Sequence, residues 1–227
     1  SPIYSFLLLA GLITLSTSQS LYSQGFEGYY RYPDIHGDQV VFAAEGDLWI
    51  VPVSGGLASR LTSHPEEETY PALLQKALRD KGYGYRVVNA GISGETSSGA
   101  RSRMDWVLRM KPDIIILETG ANDGLRGLDP ELIRRNIREM VDAFTAKGIV
   151  VVLAGMKMFP NLGPAYSKIF ADVYTDVGGD NDVILIPFFL EGVAGVPKMN
   201  QSDGIHPTAD GYVLVVEHIL PYVTEAI

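Results

Sequence analysis

The chain has no cysteine among its 227 residues, which excludes disulfide bonds, thiolate metal ligands and a cysteine nucleophile. It also lacks any cluster of lysine and arginine, and its formal net charge is −9. Neither nucleic-acid binding nor a basic membrane-binding face is therefore expected. We expect small or neutral molecules as partners, with no metal and no cofactor.

No apolar run is long enough to span a bilayer. The longest, "FLLLAGLITL" at residues 6–15, has the length of a signal-peptide core, and the small residues of "STSQS" follow it. The sequence thus predicts a signal peptide over residues 1–24 and a periplasmic or secreted protein with no stable membrane anchor after cleavage. Because no basic residues precede the run, a buried apolar segment is the alternative.

Residues 25–63 have the alternation and turns of β-structure. The segments "QVVFAAE", "LWIVPV" and "ASRLTS" predict a three-stranded meander. The stretch from residue 28 to 64 resembles the opening blade of the β-propellers in tricorn-type proteases and related WD40-like proteins. A propeller needs several blades to bury its faces, and the sequence contains one.

Residues 64–227 alternate helical and strand patterns. "YRVVNAG", "DIIILETG", "IVVVLAG" and "DVILIPFF" are apolar strands separated by helices, which predicts an α/β fold with a parallel sheet covered on both faces. Asp129 and Pro130 begin a helix with one apolar stripe. The stripe consists of Ile133, Ile137, Met140, Val141 and Phe144.

Ligands of such sheets bind beyond the carboxyl ends of the strands, where this sequence has "GISGET", "TGANDG" and "SDGIHP". The backbone N–H of Gly94 and the carboxamide of Asn122 are candidate donors to an oxyanion. The alternative is that both are turn residues.

His206 is a candidate general base, and Asp203 would orient its ring and stabilise the imidazolium. An Asp-x-x-His pair alone is weak evidence for a catalytic site, since the same residues could cap a helix or bind an ion. His218 lies in an apolar-rich helix and is expected to be structural, whereas His36 and His64 have no carboxylate at matching spacing.

Four stretches together, "NAGISGET", "GANDGLRG", "LIPFFLEGVAG" and "QSDGIHPTADGY", resemble in order and spacing the GDSL or SGNH hydrolases. The resemblance is to the branch of periplasmic arylesterases and of acyl-CoA thioesterase I / lysophospholipase L1 enzymes. It implies a three-layer αβα, flavodoxin-like fold, oxyanion donors at Gly94 and Asn122, and triad members at Asp203 and His206. It also implies a substrate-lining loop within "MKMFPNLGPAYSKIF", made of Phe159, Pro160, Asn161 and Leu162.

The family's nucleophile lies in a Gly-Asp-Ser-Leu motif, and this chain contains no such sequence. Counting back from Pro65 without gaps places Leu57 at the serine position. Ser59 and Ser54 lie nearest to it, and Ser93 partly matches the G-x-S-x-G elbow, although Glu95 replaces the last glycine. The nucleophile is therefore unassigned.

The resemblance implies a hydrolase of carboxylic esters or thioesters that acts on small acyl substrates, with the usual serine nucleophile missing or displaced. Two alternatives stay open: a catalytically silent acyl- or lipid-binding derivative or fused-gene product, and a propeller-type peptide-binding fragment. The resemblance also implies a central first strand between "YRVVNA" and "DIIILE". We expect residues 39–45 or 48–53 to fill that slot, or the slot to stay open in an unstable protein.

Overall fold

The computed structural model describes residues 5–7, 31–36, 39–44, 47–54, 59–60, 68–179 and 182–227. Their strands form two sheets. The five-stranded sheet contains β1 (Ser5–Leu7), β6 (Arg86–Val88), β7 (Ile114–Leu117), β8 (Val150–Ala154) and β9 (Val183–Ile186). The four-stranded sheet contains β2 (Arg31–His36), β3 (Gln39–Ala44), β4 (Asp47–Pro52) and β5 (Ser59–Arg60).

The five-stranded sheet is parallel throughout, with the strand order β6-β1-β7-β8-β9. Numbered along the chain within this sheet, the order is 2-1-3-4-5, which is that of flavodoxin-like folds. The fold-class prediction is therefore confirmed. The strand order reverses between β1 and β7, so the crevice beyond the carboxyl ends of these two strands is where this architecture places a ligand.

The central slot of the sheet is filled by β1, which pairs with β6 on one side and β7 on the other. The expectation that residues 39–45 or 48–53 would fill the slot is wrong. Those residues form β3 and β4, which pair with each other and with β2 and β5 in the separate antiparallel sheet. That sheet has four strands where the sequence predicted three. Pro52 ends β4, because proline has no N–H to donate to a ladder.

The helices of the described residues cover the parallel sheet on two sides. They are α1 (Tyr70–Asp80), α2 (Ser97–Ser102), α3 (Met104–Arg109), α4 (Ala121–Leu125), α5 (Pro130–Thr145), α6 (Pro164–Gly178) and α7 (Ala209–Glu225). Helices α1 and α7 contact each other, as do α5 and α6, and each pair also contacts strands of the sheet. The result is a three-layer αβα arrangement.

Helix α5 shows how local sequence determines an element here. The Asp129 side chain accepts a hydrogen bond from the N–H of Glu131 at 3.0 Å, and Pro130 occupies the first helical position. All five residues of the predicted apolar stripe are buried. Gly148, with φ of +73°, lies just beyond the end of the helix.

The stretch "SSGARSRMDWVLRMK" forms two short helices, α2 and α3, which meet at Arg103, whose φ of −101° and ψ of 2° leave the helical range. The Arg103 side chain is buried and binds Glu95 and the carbonyl of Ala90. The two helices thus meet at a residue whose side chain is held by a buried ion pair to Glu95, eight residues earlier.

Of the predicted signal peptide, only Ser5–Leu7 lies within the described residues, and the domain boundaries at residues 24 and 63 stay predictions. Cleavage near residue 24 would remove β1 from the sheet. The propeller resemblance of residues 28–64 also stays a prediction. In the part of the chain that the structure describes, no helix combines the length and apolar character needed to cross a membrane.

Candidate active site

The Asp203 and His206 side chains are in direct contact. The ring Nδ1 of His206 lies 2.6 Å from Oδ2 of Asp203, and Oδ1 of Asp203 accepts hydrogen bonds from the backbone N–H groups of Ile205 and His206 at 2.9 and 3.0 Å. The Nε2 of His206 has no hydrogen-bond partner among the described residues, and the side chain is 59% exposed. The ring is thus oriented at one nitrogen and available at the other.

These hydrogen bonds lower the pKa of the Asp203 carboxyl group from 3.8 to about 2. The bond with the His206 side chain has the largest effect, followed by those with the backbone N–H groups of Ile205 and His206. Asp203 is consequently ionised at any pH near neutrality, as a carboxylate that orients a histidine must be.

The loop that carries this pair is closed at its base by backbone hydrogen bonds. Gln201 N–H donates to the His206 carbonyl at 2.7 Å, and Thr208 N–H donates to the Met199 carbonyl at 2.8 Å. Asn200 is 6% exposed, and its Nδ2 donates to the carbonyls of Val193 and Val196. Sequence reasoning missed Asn200, because side-chain hydrogen bonds to the carbonyls seven and four residues earlier leave no periodic pattern.

Gly94 lies in the loop after β6 with φ of +72°, a backbone conformation that favours glycine. Its carbonyl accepts a hydrogen bond from Nη2 of Arg126 at 2.8 Å, whereas its N–H has no acceptor among the described residues. Behind the loop, Glu95 and Arg103 form a bidentate ion pair with two distances of 2.7 Å. Both ion-paired side chains are about nine-tenths buried.

Asn122 lies in α4, directly after β7. It is half-buried, and its carboxamide has no hydrogen-bond partner among the described residues. Gly120 begins α4 with φ of +94°, and a β-carbon there would collide with the Tyr174 hydroxyl. That hydroxyl donates to the Thr119 carbonyl at 2.8 Å and so fixes the start of α4.

A buried polar network joins the Gly94 loop to α4. Ser97 and Asp123 are both fully buried, and the two oxygens of Asp123 accept from Ser97 N–H and Ser97 Oγ, each at 2.7 Å. Asn136 of α5 donates to Ser97 Oγ at 3.0 Å and to Ser98 Oγ at 2.9 Å. The structure thereby brings the loops of Gly94 and Asn122 together. The sequence contained no sign of this contact, whose partners lie 26 residues apart.

Glu118, at the carboxyl end of β7, connects His206 electrostatically to this edge of the sheet. Desolvation by the surrounding protein raises its pKa, and the nearby His206 lowers it. Burial, with smaller contributions from Glu118 and Asp203, raises the pKa of Tyr212 to about 12. His206 therefore lies within electrostatic range of the strand that leads to Asn122.

The four residues of the predicted substrate loop are all exposed, and Pro160–Leu162 form a 3₁₀ turn. The side chains of Phe159 and Leu162 are 45% and 42% exposed, as is Leu125 of α4 at 43%. A β-carbon added at Gly127 would lie 3.8 Å from Leu162 Cδ1. The loop thus lies against the segment that follows α4 and presents exposed apolar side chains.

The three candidate nucleophiles lie in different places. Ser59 belongs to β5 and pairs with Ile50 in the antiparallel sheet, and Ser54 is exposed in the turn after β4. Ser93 is exposed directly before Gly94. Among the described side chains, neither that of Ser54 nor that of Ser93 is hydrogen-bonded to His206. The sequence position expected for the nucleophile, Leu57, lies outside the described residues.

The other described ring, His218, bonds through Nε2 to the Phe188 carbonyl at 2.9 Å, in keeping with a structural role. His64 lies outside the described residues. Within residues 68–179 and 182–227, no group of three or more histidine, aspartate or glutamate side chains is arranged to hold a metal ion.

Comparisons with known proteins agree with this architecture. The chain is 46% identical over 151 residues to Esterase TesA of Pseudomonas aeruginosa, which covers 66% of this chain and 75% of that protein. It is 34% identical over 149 residues to Thioesterase 1/protease 1/lysophospholipase L1 of Escherichia coli K12. That match covers 65% of this chain and 70% of the Escherichia coli protein. A crystal structure of TesA superimposes with a TM-score of 0.70 at 42% identity, over 73% of this chain and 92% of that chain.

The family model that describes GDSL-like lipases and acylhydrolases matches residues 56–214, which include the loops of Gly94, Asn122 and His206. The chain belongs to the GDSL-like Lipase/Acylhydrolase family.

Proposed function

We propose that this protein hydrolyses small carboxylic esters or thioesters, with His206 as general base and Asp203 as the carboxylate that orients it. The Gly94 N–H and the Asn122 carboxamide stabilise the oxyanion. One observation carries the proposal. Three polar groups at the site, the Gly94 N–H, the Asn122 amide and His206 Nε2, have no partner in the described part of the chain. The groups that hold them in place are hydrogen-bonded.

The chemistry follows from these groups. A hydroxyl nucleophile gives its proton to His206 Nε2 as its oxygen attacks the carbonyl carbon, and the carbonyl oxygen becomes an oxyanion. Two N–H donors facing that oxygen stabilise the charge only as it develops, which lowers the barrier to attack. When the tetrahedral intermediate collapses, His206 returns the proton to the leaving alcohol or thiol, and the acyl group stays on the nucleophile. Water then gives a proton to His206 Nε2 as it attacks this acyl group, and the carboxylic acid leaves as the nucleophile oxygen takes the proton back. Asp203 stabilises the imidazolium throughout.

The substrate class is supported by the names of the relatives and by the exposed apolar surface of Phe159, Leu162 and Leu125. Pro160 and Asn161 complete the proposed acyl-binding loop. We further propose export to the periplasm or outside the cell, supported by the apolar run at residues 6–15, with no stable membrane anchor after cleavage. Cleavage and the pairing of β1 are mutually exclusive, because Ser5–Leu7 would be removed with the cleaved segment.

The test is turnover of p-nitrophenyl acetate, butyrate and octanoate and of an acyl thioester by the full chain. We expect turnover above background that falls by about 10³-fold or more in His206→Ala. The matched control is His218→Ala, which removes the histidine bonded to Phe188 and should retain activity in a folded protein. Equal activity of His206→Ala and the wild type would refute the assignment of the base.

A second candidate, a catalytically silent acyl-binding protein, is favoured by the lack of a Gly-Asp-Ser-Leu sequence. Such a protein would bind a fatty acid or lysolipid but would not turn over any of these esters. A fluorophosphonate probe separates the two candidates, since it labels an activated serine covalently. Peptide mapping of the labelled chain would identify the nucleophile, whether Ser54, Ser59, Ser93 or another serine.

A further inference from the structure

Asp123 is a fully buried carboxylate without a cationic partner. Its relative exposure is 0%, and no lysine, arginine or histidine among the described residues pairs with it. A buried charge is costly unless hydrogen bonds compensate it. Its negative charge would also oppose an oxyanion forming beside its neighbour, Asn122. The hydrogen bonds of Asp123 must therefore offset both the cost of burying its charge and the repulsion between that charge and the oxyanion.

Both carboxylate oxygens are bound by a single residue of the other loop. Ser97 donates its backbone N–H to Oδ2 and its hydroxyl to Oδ1, each at 2.7 Å. Asn136 Nδ2 donates to Ser97 Oγ, so the hydroxyl proton of Ser97 is directed to Asp123. The geometry resists rotation of either partner, because two bonds at different atoms fix both distance and orientation.

The two bonded residues lie next to the two proposed oxyanion donors. Asp123 follows Asn122 directly in α4, and Ser97 is three residues beyond Gly94. A second connection runs from Arg126 to the Gly94 carbonyl at 2.8 Å, but Arg126 is exposed and competes with water for that bond. The Ser97–Asp123 contact is the buried connection between the two loops.

We propose that Asp123 is a positioning residue for the oxyanion site: its paired hydrogen bonds to Ser97 fix the Gly94 N–H and the Asn122 amide at a separation at which both reach one oxygen. This inference rests on the proposed function. It adds that the two donors form one rigid unit, which spans two loops and is held together by the buried carboxylate of Asp123.

The kinetic test compares Asp123→Asn and Ser97→Ala with the matched control Ser98→Ala. Ser97 and Ser98 both accept from Asn136, but only Ser97 binds Asp123. We expect kcat to fall about 10- to 100-fold in Asp123→Asn and Ser97→Ala with KM within twofold, because misplaced donors weaken only the transition state. Ser98→Ala should stay within twofold of the wild type in both constants.

Asp123→Asn also distinguishes positioning from charge, since it removes the negative charge at nearly constant shape. An unchanged or increased kcat in folded Asp123→Asn would overturn the proposal, as it would show that the charge matters more than the geometry. A fall in kcat that is matched by an equal fall in Ser98→Ala would also overturn it, because the effect would then be general loss of packing.

An NMR titration with hexanoate tests the same inference without turnover, because a carboxylate presents oxygens to the same donors. We expect the Gly94 backbone amide and the Asn122 side-chain amide to shift together in the wild type and in Ser98→Ala. In folded Asp123→Asn the paired shift should be lost. Paired shifts that persist in Asp123→Asn, or that are missing in the wild type, overturn the inference. Lack of His206-dependent ester turnover refutes the proposed function and leaves this readout valid.

Discussion

A single carboxylate, that of Asp203, holds His206 at both its ring and its backbone. Oδ2 contacts ring Nδ1 at 2.6 Å, and Oδ1 accepts the backbone N–H of His206 at 3.0 Å. The residue that orients the imidazole is thus also the one that forms the turn carrying it. Loss of the carboxylate would affect the protonation of the ring as well as its position.

Asp203→Asn should abolish most of the ester hydrolysis while leaving the fold intact. An asparagine oxygen can still accept the backbone N–H groups, but its NH₂ would face His206 Nδ1 and force the proton onto Nε2. Since Nε2 could then no longer act as a base, we expect a fall in kcat of about 10³- to 10⁴-fold. Circular dichroism checks folding, and Asp210→Asn, an exposed acid in the first turn of α7, is the control. Full activity in Asp203→Asn would contradict the proposed role.

The lowered pKa of Asp203 makes its stabilising effect depend on pH. A carboxyl group whose folded pKa of about 2 lies below its unfolded value of 3.8 stabilises the fold above pH 3.8. That contribution is lost as the pH falls through the range from 3.8 to 2. We expect the difference in urea midpoint between wild type and Asp203→Asn to be constant above pH 5 and to narrow below pH 4. An Asp203 carboxyl carbon that titrates by NMR at 3.8 or above would disprove this.

Restoring the family's nucleophile should restore or greatly increase activity. Replacing the segment before Pro65 with a strand that ends in Gly-Asp-Ser-Leu would supply the serine that the proposed base and oxyanion donors require. Since loss of a triad serine can cost about 10⁶-fold in turnover, the gain could approach that size. The control carries Gly-Asp-Ala-Leu in the same segment. If the serine chain is folded and soluble but no more active than the alanine control, the downstream site is incapable of catalysis.

Deleting residues 1–24 should destabilise the protein, because β1 would be lost from the centre of the sheet. Both β6 and β7 would then expose backbone groups that β1 now pairs. Each unpaired buried group costs about 1 to 3 kcal/mol, and several together rival a domain's stability of about 5 to 15 kcal/mol. Deleting only residues 1–4 retains β1 and is the control. A cooperative thermal transition of unchanged midpoint in the chain that starts at residue 25 would show that β1 is dispensable.

Tyr174→Phe should lower the free energy of unfolding by about 1 to 3 kcal/mol, because the Thr119 carbonyl would lose its donor in a buried environment. Tyr222→Phe is the control, since the Tyr222 hydroxyl is in no hydrogen bond of the described residues, and its effect should stay within about 0.5 kcal/mol. Urea denaturation measures both. Equal effects of the two substitutions would show that the Thr119 contact contributes nothing specific.

The sequence predicted the elements whose signals are local. The apolar strands "DIIILE" and "IVVVLAG", the N-cap of α5 at Asp129 and the buried stripe of that helix all follow from short-range patterns. The contact between Asp203 and His206 was predicted from their three-residue spacing together with the family resemblance of the loops.

The sequence did not predict which strand would enter the sheet or which side chains would join the loops. "SFL" and "QVVFAA" are both apolar enough for a covered sheet, and strand partners are chosen by tertiary packing that periodicity does not encode. The Ser97–Asp123 contact has the same origin: polar side chains bind distant partners where a local pattern predicts only turn or helix.

The pairing of β1 has a consequence for the order in which the protein folds during synthesis. Leu7 pairs with Ile115, 108 residues later in the chain, so β1 leaves the ribosome long before its second partner exists. At about 5 to 20 residues per second, β6 is synthesised roughly 4 to 16 s after β1, and β7 roughly 5 to 20 s after it. Throughout that interval the most apolar stretch of the nascent chain is accessible to chaperones or to an export receptor, and whichever process engages it first decides whether it becomes a core strand.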